Sequence, residues 1–128
     1  MKDWAGFLAF AERLSTSEGE AELRSAVSRA YYSAYNDARR YVRIKDPSYL
    51  PATRKDPDHW KVWDWFSQAP GKARQVATLG QALRTKRTEA DYDVYNQSAN
   101  LANLKYEATT AVQKAGKILQ LLASFRTD

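Results

Sequence analysis

Apolar side chains recur along the chain every three or four residues, the spacing of one face of an α-helix. Nowhere do apolar and polar residues alternate over a run bounded by turn residues, as they do in a half-buried strand. The pattern therefore predicts an all-α fold, an up-and-down bundle of four to five helices. We find no internal repeat, so residues 1–128 are expected to form a single domain.

The apolar positions predict five helical segments, of which the second is among the longest. Ser17 and Glu20 have the spacing of a capping box, so the second helix should begin there. Pro47, Pro51 and Pro57 predict an irregular connection after it, because proline lacks a backbone N–H. The predicted helices are about Lys2–Leu14, Ser17–Ile44, Asp58–Gln68, Ala73–Tyr92 and Ser98–Phe125.

Aromatic residues dominate the short third segment. Trp60, Trp63 and Phe66 are spaced three residues apart, so we expect them in the core or at a contact between two copies. Trp65 lies off that stripe, where it could stack on a nucleobase or on a partner. The predicted inner face of the first helix consists of Trp4, Phe7, Leu8, Ala11 and Leu14.

The composition excludes several kinds of chemistry. The chain has no cysteine, which removes disulfides, thiol catalysis and cysteine-rich zinc sites. One histidine, His59, offers no metal cage, so we expect neither a metal nor a cofactor. The first apolar stretch, MKDWAGFLAFAERL, is too short and too amphipathic for a signal peptide or a membrane span. We therefore expect a cytoplasmic protein with no membrane partner.

The net charge of +5 is spread unevenly. Residues 1–22 carry two basic and five acidic side chains, and residues 88–128 carry four and five. Residues 23–87 carry fourteen basic and five acidic side chains. A basic middle segment favours a positive surface that attracts phosphate groups. The alternative is an ordinary solvated surface rich in lysine and arginine.

Arg87 interrupts the apolar stripe of the fourth helix, one turn after Leu83. A guanidinium at an inward position is costly unless it is paired or faces a cleft. Asp91 lies four residues further on, at the spacing of a helical ion pair. Two interpretations stay open: the pair only locks the helix, or Arg87 serves a ligand.

Two segments carry a resemblance to a known family. Leu83–Asp93, LRTKRTEADYD, resembles the HEPN signature L-x-x-x-R-x-x-A-D-Y, and Arg24–Arg39, RSAVSRAYYSAYNDAR, is similar to the HEPN run S-R-A-Y-Y-A-x-x-x-A-A-R. The order of elements also agrees, since His59 precedes an aromatic helix and an alanine-rich helix closes the chain. The resemblance implies a bundle that commonly forms homodimers. The run of Ala30, Ala34 and Ala38 beside large tyrosines, and a polar Arg87–Asp91 pair on an apolar face, also favour a homodimer, which we expect to be built around the second and fourth helices.

The resemblance also implies a site. Active family members place an arginine, four to six variable residues and a histidine in a cleft between two protomers, and cleave RNA without a metal. Arg87 matches the arginine, with Asp91 in the intervening run, and Tyr92 stands at the histidine position. Tyrosine, with a pKa of about 10, is a poor general base near neutrality. It can still donate a hydrogen bond or stack on a base.

Further basic residues surround this run. Arg84 lies about 60° from Arg87 round the helix, close enough for a phosphate clamp. Arg29 and Arg40 share one side of the second helix and extend the predicted basic surface, and His59 is a further candidate for ligand contact.

Two functions compete at this point. One is an RNA- or nucleotide-binding protein of a toxin–antitoxin or defence module, and, if it is an enzyme, a metal-independent endoribonuclease that uses Arg87, Asp91 and Tyr92. The other is a non-catalytic helical module that dimerises or binds a partner, such as a nucleotidyltransferase or an antitoxin protein. The histidine missing from the motif favours the second function, and the Arg87–Tyr92 run favours the first.

Overall fold

The computed structural model describes residues 4–49, 59–92 and 101–126, and for Tyr92 the backbone alone. These residues form a bundle of five α-helices without a strand, which confirms the all-α prediction. The expected helix starts at Lys2, Asp58 and Ser98 lie outside the described residues, as do Pro51 and Pro57. The helices are α1 Trp4–Leu14, α2 Glu20–Lys45, α3 His59–Ser67, α4 Lys72–Tyr92 and α5 Leu101–Arg126.

Helix α2 is the centre of the bundle and contacts each of the other four helices, α5 most extensively. Ala30, Ala34 and Ala38 on α2 have no exposed surface, and α5 contributes Ala108 and Ala115 to the same core. Small side chains on both helices allow the two backbones to approach closely. The three α2 alanines, which suggested a contact between two copies, are therefore buried within one chain.

The start of α2 differs from the predicted capping box. The N-cap is Gly19, which has no side chain to offer. The Ser17 hydroxyl oxygen accepts a hydrogen bond from the Gly19 N–H at 3.0 Å, and the hydroxyl donates to Glu22 at 3.2 Å. Because Ser17 closes a local turn two residues ahead, it cannot cap the helix, and α2 begins at Glu20 instead.

The core prediction for the aromatic residues of α3 is confirmed for two of them. Trp63 and Phe66 are fully buried, but Trp60 is 50% exposed and does not belong to the core. Residues six apart on a helix diverge by about 120°, so Trp60 and Phe66 cannot share a narrow face. Trp65, expected to be available for stacking, is half-buried, and its indole N–H donates to Asp46 at 3.2 Å.

Helices α3 and α4 meet at a glycine. A Cβ built on Gly80 would lie 2.2 Å from Cε3 of Trp63, far inside van der Waals contact. The indole of Trp63 therefore lies directly on the α4 backbone, which fixes α3 against α4. This contact also determines where the first residues of α3, His59 and Trp60, stand relative to α4.

Helix α1 leaves part of its aromatic side to solvent. Ala11 is buried and Leu8 and Leu14 are half-buried, whereas Phe7 and Phe10 are exposed. Phe7 was expected on the inner face, and this expectation was wrong. Eleven residues make about three turns, and α1 packs against the bundle through the narrower stripe that passes through Ala11.

The C-terminal end of α5 is joined to α2 by a buried carboxylate. Asp37 accepts hydrogen bonds from both terminal nitrogens of Arg126, at 2.9 and 3.2 Å. The Arg126 guanidinium also lies 5.7 Å from the ring centroid of Tyr41. A bidentate pair of this kind sets orientation as well as distance, so it fixes the end of α5 along α2.

Candidate functional site

Arg87 projects from α4 towards α2, as the gap in the apolar stripe predicted. Its side chain is only 11% exposed, and its Cζ atom lies 5.4 Å from the ring centroids of both Tyr31 and Tyr32. A guanidinium over aromatic faces is attracted by the ring quadrupoles, which offsets part of the cost of removing it from water. Tyr31 and Tyr32 therefore stabilise the Arg87 guanidinium at the inward position that the apolar stripe of α4 predicted.

The predicted Arg87–Asp91 ion pair is present but loose. The closest nitrogen–oxygen distance is 3.7 Å, beyond hydrogen-bonding range, and the Asp91 side chain is 29% exposed. Ser28 of α2 donates to the same Asp91 oxygen at 3.4 Å. Asp91 thus lies at the solvent edge of the Arg87 side chain.

Tyr31 joins α2 to α3 through its hydroxyl group. The indole N–H of Trp63 donates to the Tyr31 oxygen at 3.2 Å, and Nδ1 of His59 lies 2.8 Å from the same oxygen. Burial raises the pKa of Tyr31 to about 12, against a smaller opposite effect of Arg87 and Arg84. Near neutrality the phenol therefore keeps its proton, and the direction of its hydrogen bond with Nδ1 depends on which ring nitrogen of His59 carries the proton.

His59 is held against the same tyrosines as Arg87. Its ring is stacked on Tyr35 with 4.0 Å between centroids and 6° between planes, and it lies edge-on to Tyr32 at 6.0 Å. We call Tyr31, Tyr32 and Tyr35 the tyrosine cluster. Residues 59 and 87, which the chain separates widely, contact this one cluster, and the exposed ring of Tyr32 lies between them.

Arg84 adds a second positive charge on this side of α4. It is near enough to Tyr31 to lower the pKa of that phenol, although burial outweighs the effect. It also lines a cavity beside Trp60. Lys86 has a different role, because its Nζ atom bonds to Glu107 of α5 at 3.2 Å and this bond raises the pKa of the lysine.

The remaining predicted basic residues lie elsewhere. Arg29 bonds to Ser25 at 3.1 Å and places its guanidinium 4.8 Å from the Phe10 ring of α1. Arg40 is half-buried on the same side of α2. At 100° per residue that side is about a quarter to a third of a turn away from Ser28, which faces α4. Arg29 and Arg40 are thus not brought together with Arg84 and Arg87.

The C-terminal end of α4 is anchored on α2. A terminal nitrogen of Arg24 donates to the backbone carbonyl of Ala90 at 3.2 Å, and a cation at this end also interacts favourably with the helix dipole. Tyr92 is the last residue of α4, and its side chain lies outside the described part of the structure. Its predicted role therefore stays a prediction.

Sequence reasoning missed the tyrosine cluster and Trp60 as parts of the site. A signal was available for the first: buried tyrosines need partners for their hydroxyl groups, and three of them lie within five residues of a helix whose neighbours are buried. No comparable signal identified Trp60, because its exposure depends on how α3 is rotated against α4.

Among residues 4–49, 59–92 and 101–126, no group of three or more metal-ligating side chains comes together. No helix in the described part of the chain combines the length and apolar character that crossing a membrane requires. In comparisons with known proteins, no family model, no curated protein and no solved structure matches the chain.

Proposed function

We propose that this protein is a HEPN-like module that binds single-stranded RNA or a nucleotide through Arg84 and Arg87, in a system of the toxin–antitoxin or defence type. The observation that carries the proposal is the Arg87 guanidinium, which two tyrosine rings orient on the same side of α4 as Arg84.

The chemistry of phosphate recognition fits this arrangement. A planar guanidinium offers donors in a fixed fork that matches two phosphate oxygens, and the ring faces restrict its orientation before a ligand arrives. Arg84 supplies a second cation on the same side of α4, and the half-buried His59 supplies a further polar group. The motif residues of the HEPN resemblance, Arg87 and the paired tyrosines at 31 and 32, meet at this point.

The dependence of affinity on salt tests the proposal. Binding of a labelled single-stranded RNA, followed by fluorescence anisotropy, should weaken steeply with salt, with log K falling by about 0.7 per phosphate contacted for each unit of log salt. Arg84→Ala and Arg87→Ala should each reduce that slope by about one contact. Arg74→Ala removes the same charge from an exposed position of α4, about 15 Å along the helix from Arg84, and should leave the slope nearly unchanged.

Two results would contradict this function. One is the absence of RNA binding at low salt, which would leave the partner-binding module as the remaining function. The other is an equal reduction of the slope in all three variants, which would mean that the positive charge acts diffusely and that Arg84 and Arg87 form no site.

A second candidate is metal-independent RNA cleavage, and the position of His59 favours it. Tyr92 replaces the histidine of the family motif, but folding brings another imidazole to the tyrosine cluster that holds Arg87. In such a reaction the 2′-oxygen attacks the adjacent phosphorus and the bond to the 5′-oxygen breaks. His59, with its ring proton on Nδ1 in the hydrogen bond to Tyr31, would take the proton of the 2′-hydroxyl through Nε2. Water would protonate the departing 5′-oxygen, and Arg87 would stabilise the phosphate charge.

Cleavage is tested with RNA in the presence of a chelator. We expect weak activity at most, because Tyr31 and Tyr35 hold the imidazole firmly in position. Any activity should disappear in His59→Asn, in which the amide can keep a hydrogen bond to Tyr31 but cannot take up a proton. Activity that survives His59→Asn and disappears in Tyr92→Phe would assign the chemistry to the Tyr92 hydroxyl instead.

A further inference from the structure

The surface beside the tyrosine cluster contains a cavity of about 440 Å³, lined by Trp60, Gln81, Arg84, Thr85, Thr88 and Glu89. Its volume falls within the range of about 300–1,000 Å³ that is typical of small-molecule sites. One wall is the indole of Trp60 from α3, and the others are polar side chains of α4. We call this feature the Trp60 cavity.

Trp60 is the unusual member of this lining. A tryptophan that is 50% exposed costs free energy in water, and nothing in the packing of α3 requires it, since Val62, Trp63 and Phe66 already fill the core. The Trp60 cavity gives the indole an aromatic surface next to hydrogen-bonding groups. This combination is common where proteins bind unpaired nucleobases, which stack on aromatic side chains and present donors and acceptors at their edges.

The polar lining supplies groups for such an edge. The Thr85 and Thr88 hydroxyls donate to backbone carbonyls one turn earlier, at 3.3 and 3.0 Å, so only their oxygens remain, as acceptors. Gln81 offers both a donor and an acceptor. The Glu89 carboxylate is engaged only loosely by Lys86, at 3.5 Å, and can accept a hydrogen bond from an exocyclic amino group.

Arg84 connects this cavity to the proposed phosphate site, because it lines the cavity and also acts on Tyr31. We infer that the Trp60 cavity is a nucleobase subsite, in which the base of an amino-bearing nucleotide stacks on Trp60 while its phosphate contacts Arg84. The inference rests on the proposed function for the phosphate contact. It adds a recognition element for the base that neither charge nor the HEPN motif supplies.

The test compares two ligands of equal charge. One is a tetra-adenosine RNA, and the other is a tetramer of abasic ribose phosphates. Stacking of one base on an aromatic side chain corresponds to about 5- to 150-fold in affinity. We expect the protein to bind tetra-adenosine more tightly than the abasic tetramer by a factor in this range, with similar salt slopes for the two ligands.

Trp60→Leu should remove most of that preference and leave affinity for the abasic tetramer unchanged, whereas Trp60→Phe should retain part of it. Tyr106→Ala is the matched control, because Tyr106 is a 71% exposed aromatic residue on α5, away from the cavity. Melting temperatures of all variants should remain close to that of the parent, since both side chains are exposed.

The outcomes separate this inference from the proposed function. Equal affinity for the two tetramers, or a preference that persists in Trp60→Leu, would overturn the base subsite while phosphate binding stands. Trp60 would then be better explained by contact with another protein chain. Failure to bind the abasic tetramer at low salt would overturn the phosphate site, whereas tetra-adenosine binding that still depends on Trp60 would support the subsite.

Discussion

Tyr31 is the residue on which the site depends, because its ring and its hydroxyl group serve different partners. The ring face supports Arg87, while the hydroxyl accepts a hydrogen bond from Trp63 and shares another with His59. Tyr31 itself is fully buried, so it organises the site from beneath and does not reach a ligand. The groups that remain accessible are Tyr32, the half-buried His59 and the outer edge of Arg87.

The buried phenol predicts a loss of stability at alkaline pH. Burial raises the pKa of Tyr31 from 10.0 to about 12, so the folded protein holds the phenolic proton more tightly than the unfolded chain. The stabilising contribution is complete below about pH 10 and is lost as the pH rises to about 12, a loss of about 3 kcal/mol in the free energy of unfolding. Burial also raises the pKa of Tyr49, which acts in the same direction.

Urea denaturation at several pH values measures this loss. Tyr31→Phe should be less stable than the parent near neutrality, because Trp63 and His59 lose their partner, but its stability should fall less between about pH 10 and 12. Tyr106→Phe, a change at an exposed tyrosine, should leave the alkaline loss as in the parent. An unchanged alkaline loss in Tyr31→Phe would show that the phenol is not its source.

At the scale of residues, a position set within one helix could be predicted from the sequence, whereas a contact between residues far apart in the chain could not. The inward position of Arg87 followed from a single stripe of one helix. The bond between Tyr31 and His59 joins residues 28 positions apart, and no periodicity within α2 or α3 contains it. The exposure of Trp60 and the partial burial of Trp65 were also not predictable, because the helices that pack against the nine-residue α3 determine its rotation.

At the scale of elements, the contact of α3 with α4 determines the geometry of the site. His59 and Trp60 begin α3, and Arg84 and Arg87 lie on α4. The relative position of these two pairs therefore depends on how the Trp63 indole lies on Gly80. A displacement of α3 would move the imidazole and the exposed indole away from the arginines together.

Gly80→Ala tests this contact. A Cβ at that position would overlap the Trp63 ring, so overpacking of about 1–3 kcal/mol should exceed the gain of about 1 kcal/mol from replacing a helical glycine. Chemical denaturation should therefore show a net loss of stability, and RNA affinity should fall with it.

Gly116→Ala provides the control in α5. There the new Cβ would lie 3.7 Å from Cδ2 of Leu8, an ordinary contact, so the substitution should be neutral or stabilising. If Gly80→Ala were as stable as Gly116→Ala, α3 would be free to move on α4, contrary to the fixed geometry argued for the site.

The helices themselves were largely predictable, since apolar periodicity and proline positions constrain them directly. All five described C-terminal ends fall within one residue of the expected end, from Leu14 of α1 to Arg126 of α5. The predicted start of α2 was wrong because the Ser17 hydroxyl oxygen had two possible donors from which it could accept a hydrogen bond. A turn that closes onto Gly19 and a cap on the helix use the same oxygen, and the spacing of Ser17 and Glu20 does not distinguish them.

At the scale of the whole molecule, the described residues of the basic middle segment, 23–49 and 59–87, do not form one surface. Arg84 and Arg87 face the tyrosine cluster, Arg29 lies over Phe10, and Lys86 is paired with Glu107. The sum of charges along residues 23–87 was therefore correct, but it did not predict where each charge lies on the folded surface. Placing each charge required the helix rotations that tertiary packing sets.

Self-association stays a prediction on different grounds from those that suggested it. The α2 alanines and the Arg87–Asp91 pair are accommodated within one chain. Phe7 and Phe10 on α1 have exposed aromatic side chains, and such surfaces favour association. Sedimentation at tens of micromolar should show a dimer, and Phe7→Ser should shift it towards monomer. A parent protein that sediments as a monomer would contradict this prediction.

The central claim, that RNA phosphate is held by Arg87 beside His59, is tested most directly by NMR of the histidine ring. His59 is the one histidine of the chain, so its ring signals need no assignment. Titration with tetra-adenosine RNA at low salt should move the ¹H and ¹⁵N signals of the ring saturably, and Arg87→Ala, which should stay folded because its ion pair is loose, should abolish the movement. Ring signals that stay in place when the RNA is fully bound, or that move equally in Arg87→Ala, would contradict the claim.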